Sequence, residues 1–156
     1  NGTFDKYMGD AIMAFFGAPV LFDDHAEKAC RAALDMRDAL EELNAKWAED
    51  DSKKQLSMGI GLSTGNMFVG NFGGQNQKNF TVMGSNVNLG ARLEAYTRNV
   101  NANIVISDST FEAIKDKAAV IDIGKVEVKG FSEAVQAYGL KSMDQGASVE
   151  SLVPQA

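Results

Sequence analysis

The sequence is poor in the residue types from which several common kinds of site are built. Its 156 residues contain one cysteine, Cys30, so an intrachain disulfide and a cysteine-rich metal site are both excluded. Cys30 is predicted to lie on the apolar side of a helix, as a small buried hydrophobic residue. His25 is the only histidine, which argues against a histidine metal site and a Ser-His-Asp triad. Its place near a helix start is typical of a surface residue.

Positive charge and long apolar runs are also scarce. The 15 lysines and arginines are outnumbered by 21 aspartates and glutamates, which gives a net charge of −6. Nucleic-acid-binding domains usually carry a basic patch, so no nucleic-acid partner is expected. No apolar run approaches the roughly 18 residues of a membrane helix, and no secretion signal opens the chain. We expect a cytoplasmic domain, whose longer parent protein is free to carry a membrane anchor.

Hydrophobic periodicity and turn residues predict alternating strands and helices. Strands are predicted over residues 3–8, 11–16, 56–62, 66–71, 79–83, 104–106, 120–128 and 134–140, with a polar loop over 73–78. Helices are predicted from Asp24, with Glu27 completing a capping box, to residue 48, from a Ser85 cap to residue 98, and over 109–117. This order predicts an α+β domain over residues 1–141 with helices covering a mixed sheet, and a tail or linker over 142–156.

The first two predicted strands form a hairpin with Asp10 at its tip. Glycine and aspartate are common turn residues, so Asp10 at this turn does not by itself indicate a functional site. The second strand, however, is apolar on both faces, which predicts a central strand, and a carboxylate at its mouth suits a hard cation such as Mg²⁺. Alternation places Lys6 on the same face as Phe4 and Met8. A lysine between apolar neighbours either extends to the edge or has a partner.

Asn88 and Arg92 lie one turn apart on the predicted helix over residues 85–98. The helical pattern sets this polar pair within the apolar arc and assigns Gly90 and Glu94 to the solvent-facing side. An unpaired buried arginine costs several kcal/mol, so Arg92 is expected to have a partner. That partner is either a structural acid or a bound phosphate or planar anion.

Two further motifs carry weaker signals. Lys129 stands at a strand end before a glycine turn, where a solvated surface lysine is the default. The glycine-rich segments at residues 59–61 and 70–74 lack phosphate-loop spacing. They are interpreted as close strand packing and a hairpin loop.

Together, residues 2–19, 59–65, 80–94 and 128–130 resemble the class III adenylyl/guanylyl cyclase catalytic domain, in the family's order and spacing. The resemblance implies a ferredoxin-like mixed sheet covered by helices. It also implies a shared active site at a homodimer interface. Relative to the family pattern, the first strand and the helices that follow it are absent from this sequence, and with them a second metal-binding aspartate. The chain alone is therefore expected to be inactive and to belong to a longer protein with a covalently linked sensor or regulatory domain.

The resemblance implies a role for each matching residue. Asp10 is one of two aspartates that hold two Mg²⁺ or Mn²⁺ ions. Lys6 and Thr81 read the adenine edge. Asn88 orients the ribose, and Arg92 and Lys129 stabilise charge on the transferring phosphate. Asn103 stands where some members carry an arginine for the terminal phosphates, so that contact is in doubt.

The implied reaction converts ATP to 3′,5′-cyclic AMP and pyrophosphate, by attack of the 3′-hydroxyl on the α-phosphate with two metal ions assisting. Lys6 can donate to adenine N1, and the Thr81 hydroxyl can accept from the exocyclic amine. Guanine carries a donor at N1, which opposes a lysine. Threonine at position 81 also resembles the bicarbonate-responsive branch of the family.

Three alternatives stay open. A catalytically inactive cyclase-like dimerisation or regulatory module need not retain both halves of a site. A guanylyl cyclase is opposed by Lys6. A diguanylate cyclase carries a Gly-Gly-Asp/Glu hairpin, whereas Met8 precedes Gly9 and Asp10 here.

Overall fold

The computed structural model describes residues 1–50, 52–74 and 77–151, without the side chain of Gln77. Strands and helices follow in the order β1 (Thr3–Met8), β2 (Ala11–Phe15), α1 (His25–Trp47), β3 (Ile60–Leu62), β4 (Phe68–Gly74), β5 (Gln77–Met83), α2 (Ser85–Tyr96), β6 (Ile104–Ser107), α3 (Asp108–Ile114), β7 (Ala118–Val126), β8 (Val135–Met143) and β9 (Ser148–Ser151). A single 3₁₀ turn, Thr97–Asn99, follows α2. No helix in these ranges is long and apolar enough to cross a lipid bilayer.

Five strands form one mixed sheet in the order β3-β6-β8-β7-β9. The pairs β3–β6 and β7–β9 are parallel, whereas β6–β8 and β7–β8 are antiparallel. The hairpins β1–β2 and β4–β5 are separate two-stranded sheets. This arrangement confirms the predicted α+β fold with a mixed sheet covered by helices.

Strand β6 shows how the helices cover both faces of the sheet. Successive side chains of a strand point to opposite faces of the sheet. All four residues of β6 are buried, so both faces are covered at this strand. Ile104 and Ile106 pack with Cys30 of α1 and other residues of α1 and α3, whereas Val105 packs with Leu93 of α2 on the other face. Helix α2 is thereby fixed against the sheet, which positions the residues on its outer side.

The ends of several elements differ from their predicted positions. The capping box at α1 is wrong: Asp24 makes no side-chain cap and its carboxylate accepts from Lys28 Nζ at 2.8 Å, while Glu27 pairs with Arg31. Ser85 is the first helical residue of α2, and Gly84, which has no side chain to cap with, occupies the N-cap.

Strand lengths also differ. β3 is only three residues long, and glycine-rich segment 70–74 forms part of β4 instead of a loop, pairing down to Gly74 opposite Gln77. The predicted loop positions Gln75 and Asn76 lie outside the described residues. After residue 142, β8 continues to Met143 and β9 adds a parallel strand to β7, where no regular structure was predicted. The domain boundary at residue 141 stays a prediction.

Candidate functional site

Asp10 lies at the exposed tip of the β1–β2 hairpin, as predicted. Gly9 supports the turn with a φ of 67°, a conformation that glycine adopts at no steric cost. The expectation that β2 is a central strand is wrong for the described residues, because β2 pairs only with β1 and Ile12 is 56% exposed. Apolar side chains of the hairpin are therefore exposed to solvent: Tyr7 is 73% and Met8 48% exposed.

A β-bulge at Asp5 changes which side chains share a face of β1. Phe4 pairs with Ala14 and Lys6 with Met13, so Asp5 is the extra residue. Because Ala14 and Met13 are adjacent, Phe4 and Lys6 lie on opposite faces of the ladder. Lys6 keeps the face of Met8, but the prediction that it also shares the face of Phe4 is wrong. Phe4 instead contacts Tyr7, with ring centroids 4.9 Å apart.

The bulge brings together two of the predicted site residues. The Asp5 side chain is only 2% exposed, and its Oδ1 lies 3.5 Å from Lys6 Nζ. Its Oδ2 accepts a hydrogen bond from Thr81 Oγ1 at 2.5 Å. Thr81 is on β5 and is 7% exposed, whereas the Lys6 side chain is 42% exposed. Asp5 thus joins the two residues that the family resemblance assigns to the adenine edge, and sequence reasoning missed it.

Contact between Phe15 and Phe80 supports the same junction. Their ring centroids lie 6.0 Å apart, and Phe15 is 7% exposed. The β1–β2 hairpin is therefore held against β5 by an aromatic pair beside the polar cluster.

Asn88 and Arg92 are both exposed on α2, which corrects their predicted place in the apolar arc. The buried residues of this helix are Leu89 and Leu93. Glu94, predicted to face solvent, is only partly exposed: its backbone lies against Gly61 of β3, while its carboxylate pairs with Arg98. In the described part of the chain Arg92 forms no ion pair, so the interpretation of it as half of a structural ion pair has no support.

Glycines explain why α2 turns this side to the sheet. A Cβ on Gly61 of β3 would collide with the carbonyl oxygen of Gly90 and the amide nitrogen of Glu94, and one on Gly59 would collide with Thr97 Oγ1. The predicted close packing at Gly59 and Gly61 is thus confirmed. The tight approach of β3 fixes the rotation of α2, and it leaves Asn88 and Arg92 pointing outward.

Lys129 is exposed in the turn that follows β7. Gly130 has a φ of 93°, and the Phe131 amide donates to the Val128 carbonyl at 3.2 Å. Val128 is buried, so it anchors the turn from which Lys129 projects. Asn103 is also exposed, and its carbonyl accepts from the Ile60 amide at 2.8 Å.

Few side chains within the described ranges could bind a metal ion. The described residues contain no group of three or more histidine, cysteine, aspartate or glutamate side chains that could hold an ion. Asp10 offers one exposed carboxylate. This fits Mg²⁺, which keeps several waters and often takes only one or two protein carboxylates beside substrate phosphates.

The structure therefore brings some predicted residues together and leaves others apart. Lys6 and Thr81 meet through Asp5, and Asn88 and Arg92 share the outer face of α2. In the described ranges, no ion pair joins Asp10, Arg92 and Lys129 to one another. The predicted site residues of one chain therefore include a pair linked through Asp5 and a pair exposed on α2.

Comparisons with known proteins identify the family of this chain. The family described as "Adenylate and Guanylate cyclase catalytic domain" matches residues 6–142. The adenylate cyclase of Anabaena cylindrica is 33% identical over 148 residues, which cover 91% of this chain and 28% of that protein. Adenylate cyclase 1 of Rhizobium meliloti is 30% identical over 138 residues, 88% of this chain and 21% of its own length. The chain thus spans about a quarter of these curated relatives.

Solved structures show the same fold. The adenylyl cyclase CyaB from P. aeruginosa superposes with a TM-score of 0.84 at 36% identity, covering 93% of this chain and 74% of that one. The guanylyl cyclase Cya2 gives a TM-score of 0.80 at 35% identity, covering 92% of this chain and 72% of that one. The fold and the family match agree, and the chain belongs to the adenylate and guanylate cyclase catalytic-domain family.

Proposed function

We propose that this chain is the catalytic domain of an adenylyl cyclase, which converts ATP to 3′,5′-cyclic AMP and pyrophosphate. The observation that carries the proposal is the contact of Lys6 and Thr81 through Asp5. It supports a recognition site for a base edge that offers an acceptor to the lysine and a donor to the threonine. Adenine has this pattern, whereas guanine has the opposite one. A guanylyl cyclase is the competing assignment.

The proposed active site is shared between two copies of the chain. Exposed apolar side chains on both hairpins support an interface, among them Tyr7 at 73% and Phe68 at 77% exposure. Asn88 and Arg92 face outward on α2, where a second chain can complete their surroundings. In this arrangement Asp10 serves one site of the dimer, while Lys6, Thr81, Asn88, Arg92 and Lys129 serve the other.

Each side chain has a distinct part in the proposed reaction. Asn88 orients the ribose so that its 3′-hydroxyl lies in line with the α-phosphorus. Arg92 and Lys129 donate to the phosphate oxygens as negative charge moves toward the departing pyrophosphate. Asp10 would hold Mg²⁺ or Mn²⁺, which supplies Lewis acidity toward the hydroxyl and the phosphates when bound.

Two finer features belong to the same proposal. Thr81 at the base-reading position supports a bicarbonate-stimulated enzyme, and a flat rate across a bicarbonate titration would refute that feature. The much greater length of the curated relatives supports a sensor or regulatory segment linked to this domain. A cytoplasmic location is part of the proposal, because ATP is the proposed substrate.

The test measures product formation by the full-length protein with MnATP and with MnGTP. We expect cyclic AMP as the main product and a loss of about 100-fold or more in Asp10→Ala and in Arg92→Ala. Asp23→Ala is the matched control, because Asp23 is an exposed aspartate outside the site. Undiminished activity of Asp10→Ala refutes the metal role, and a preference for GTP refutes the substrate.

Mixing the two inactive variants tests the shared site. In an equal mixture half of the dimers pair one Asp10→Ala chain with one Arg92→Ala chain. Each such dimer has one site with both defects and one intact site, so about a quarter of the wild-type activity returns. If Asp10 and Arg92 belong to the same site within a chain, no activity returns.

A further inference from the structure

We propose that Asp5 is a positioning residue that sets base specificity, by fixing the Thr81 hydroxyl as a hydrogen-bond acceptor toward the nucleobase. The inference rests on the proposed function, in which Lys6 and Thr81 contact the base. It adds a residue to that site and a physical reason for its preference for ATP over GTP.

The backbone of β1 is shaped to bring Asp5 inward. Phe4 and Lys6 pair with the adjacent residues Ala14 and Met13, so Asp5 is the bulge residue and has no partner in the β1–β2 ladder. Such a bulge re-aims one side chain, and bulges are frequent beside functional sites. Here the re-aimed side chain is a carboxylate with 2% of its surface exposed. A buried carboxylate is costly unless it is paired, and Asp5 has two partners.

The hydrogen bond from Thr81 to Asp5 decides what Thr81 can offer a ligand. A threonine hydroxyl has one proton to donate and two lone pairs that accept. Its proton is committed to Asp5 Oδ2 at 2.5 Å. Because Thr81 is 7% exposed, water has little access with which to reorient the hydroxyl. Any ligand atom that reaches Thr81 Oγ1 must therefore be a donor.

Lys6 completes the pattern with the opposite polarity. Its ammonium group lies 3.5 Å from Asp5 Oδ1, and its side chain is 42% exposed. An ammonium group has three donors, so contact with Asp5 leaves protons free for a ligand acceptor. The exocyclic group of adenine at position 6 is a donor, whereas that of guanine is an acceptor. Adenine therefore satisfies Lys6 through N1 and Thr81 through N6, and guanine places an acceptor against the lone pairs of Thr81.

Removing Asp5 releases this constraint. Without a carboxylate to accept its proton, the Thr81 hydroxyl can rotate and donate to guanine O6. The ratio of kcat/KM for ATP to kcat/KM for GTP is then expected to fall about tenfold in Asp5→Ala, the effect of one hydrogen bond. If Asp5 serves only to hold the hairpin on β5, its loss lowers both rates equally and leaves the ratio unchanged.

The experiment is a double-mutant cycle in the full-length protein with Asp5→Ala, Thr81→Val and the double variant. Thr81→Val removes the hydroxyl, so Asp5→Ala is expected to change the ATP/GTP ratio little in that background. Thr81→Ser keeps the hydroxyl and its contact with Asp5, and is the matched control that retains the ratio. Asp5→Asn keeps the size of the side chain and guards against misfolding. Its amide can donate as well as accept, so it no longer commits the Thr81 proton, and the ratio falls here too.

The outcomes separate this inference from the proposed function. Wild-type activity with ATP, together with an unchanged ratio in the folded Asp5 variants, overturns the role of Asp5 alone. If the wild type forms product with neither nucleotide, the proposed reaction fails. Competition between MnATP and MnGTP for binding to the same variants then decides the inference by the same ratio. A wild-type preference for GTP overturns both.

Discussion

Gly61 is the position at which a single added methyl group should disturb the site most. It lies on β3, and its backbone faces Gly90 and Glu94 of α2 without a side chain between them. In Gly61→Ala the new Cβ would collide with the Gly90 carbonyl oxygen and the Glu94 amide nitrogen. Both are backbone atoms, so neither can rotate away, and the whole helix must move.

The size of the effect follows from that geometry. Ordinary contact begins at 3.4 Å, so α2 has to retreat by about 1 Å. The retreat loosens Leu93 and Val105, which are both fully buried between the helix and the sheet. Overpacking of a core costs about 1–3 kcal/mol, and the upper end applies here because backbone blocks the methyl group. Arg92 moves with the helix, and if it acts on the phosphates as proposed, a 1 Å misplacement costs about 100-fold in rate.

Urea unfolding followed by circular dichroism measures the first effect. We expect the midpoint of Gly61→Ala to fall by about 1 M. Gly70→Ala is the control within a strand, since its Cβ would make only an ordinary contact of 3.9 Å with Phe72. Gly90→Ala tests the other side of the same contact. A Cβ at position 90 would lie 3.8 Å from its nearest neighbours, so it fits without a collision. Replacing a helical glycine should then raise the free energy of unfolding by about 0.5–1 kcal/mol. Equal midpoints for Gly61→Ala and Gly70→Ala would refute the collision.

The remaining predictions concern titrating groups. Burial raises the pKa of the Cys30 thiol to about 12, from an ordinary value of 9.0, so alkylation at pH 8 should be about 1000-fold slower in the native protein than in urea. The folded state holds this proton more tightly than the unfolded state. The protonated thiol therefore contributes to the free energy of unfolding below pH 9.0, and that contribution is lost as pH rises toward about 12. Hydrogen bonds from Lys117 and Arg31 lower the pKa of Glu27, so Glu27→Gln should lower the unfolding midpoint at pH 7 more than Glu112→Gln, whose parent residue makes only a local pair with Lys115. That difference in midpoint should vanish as pH falls through the lowered pKa of Glu27, and a difference that does not change with pH would contradict the role of Glu27. Fast alkylation of native Cys30 would contradict its raised pKa.

The sheet and its helices were predictable because their residues repeat with clear periods. Residues 104–106 form an apolar run bounded by polar positions, and they make up most of the fully buried strand β6. Residues 3–8 and 11–16 flank a Gly-Asp turn, and the hairpin forms with Asp10 at its tip. Short apolar runs and the turn residues between them determine these elements locally, with little help from the rest of the fold.

The orientation of α2 was not predictable from its hydrophobic pattern. A helical wheel ranks residues by apolar character, and Gly90 contributes none, so the pattern turned Gly90 outward. In the structure the missing side chain of Gly61 lets β3 approach the backbone of α2 at Gly90 and Glu94. Backbone contact therefore overrides side-chain hydrophobicity on this side of the helix, and the polar pair Asn88 and Arg92 emerges at the surface.

Asp5 was missed for a related reason. Strand alternation assigns every second residue to one face, and a bulge breaks that count by one. No residue type in the sequence marks the bulge, because neither glycine nor proline is present at residues 3–8. The acid beside a lysine reads as an ordinary surface pair until β5 brings Thr81 against it.

Because Asp5 is supernumerary in the ladder, the hairpin should tolerate a single-codon deletion there. Phe4 already pairs with Ala14 and Lys6 with Met13, so joining Phe4 to Lys6 restores an unbroken antiparallel register without shifting any later pair. The indel would erase the buried carboxylate and leave the turn at Asp10 in place. Deleting Asp5 should therefore preserve the strand pairing while removing the carboxylate that contacts Lys6 and Thr81. In a regular ladder, by contrast, a one-residue deletion shifts the register and turns the following side chains to the other face.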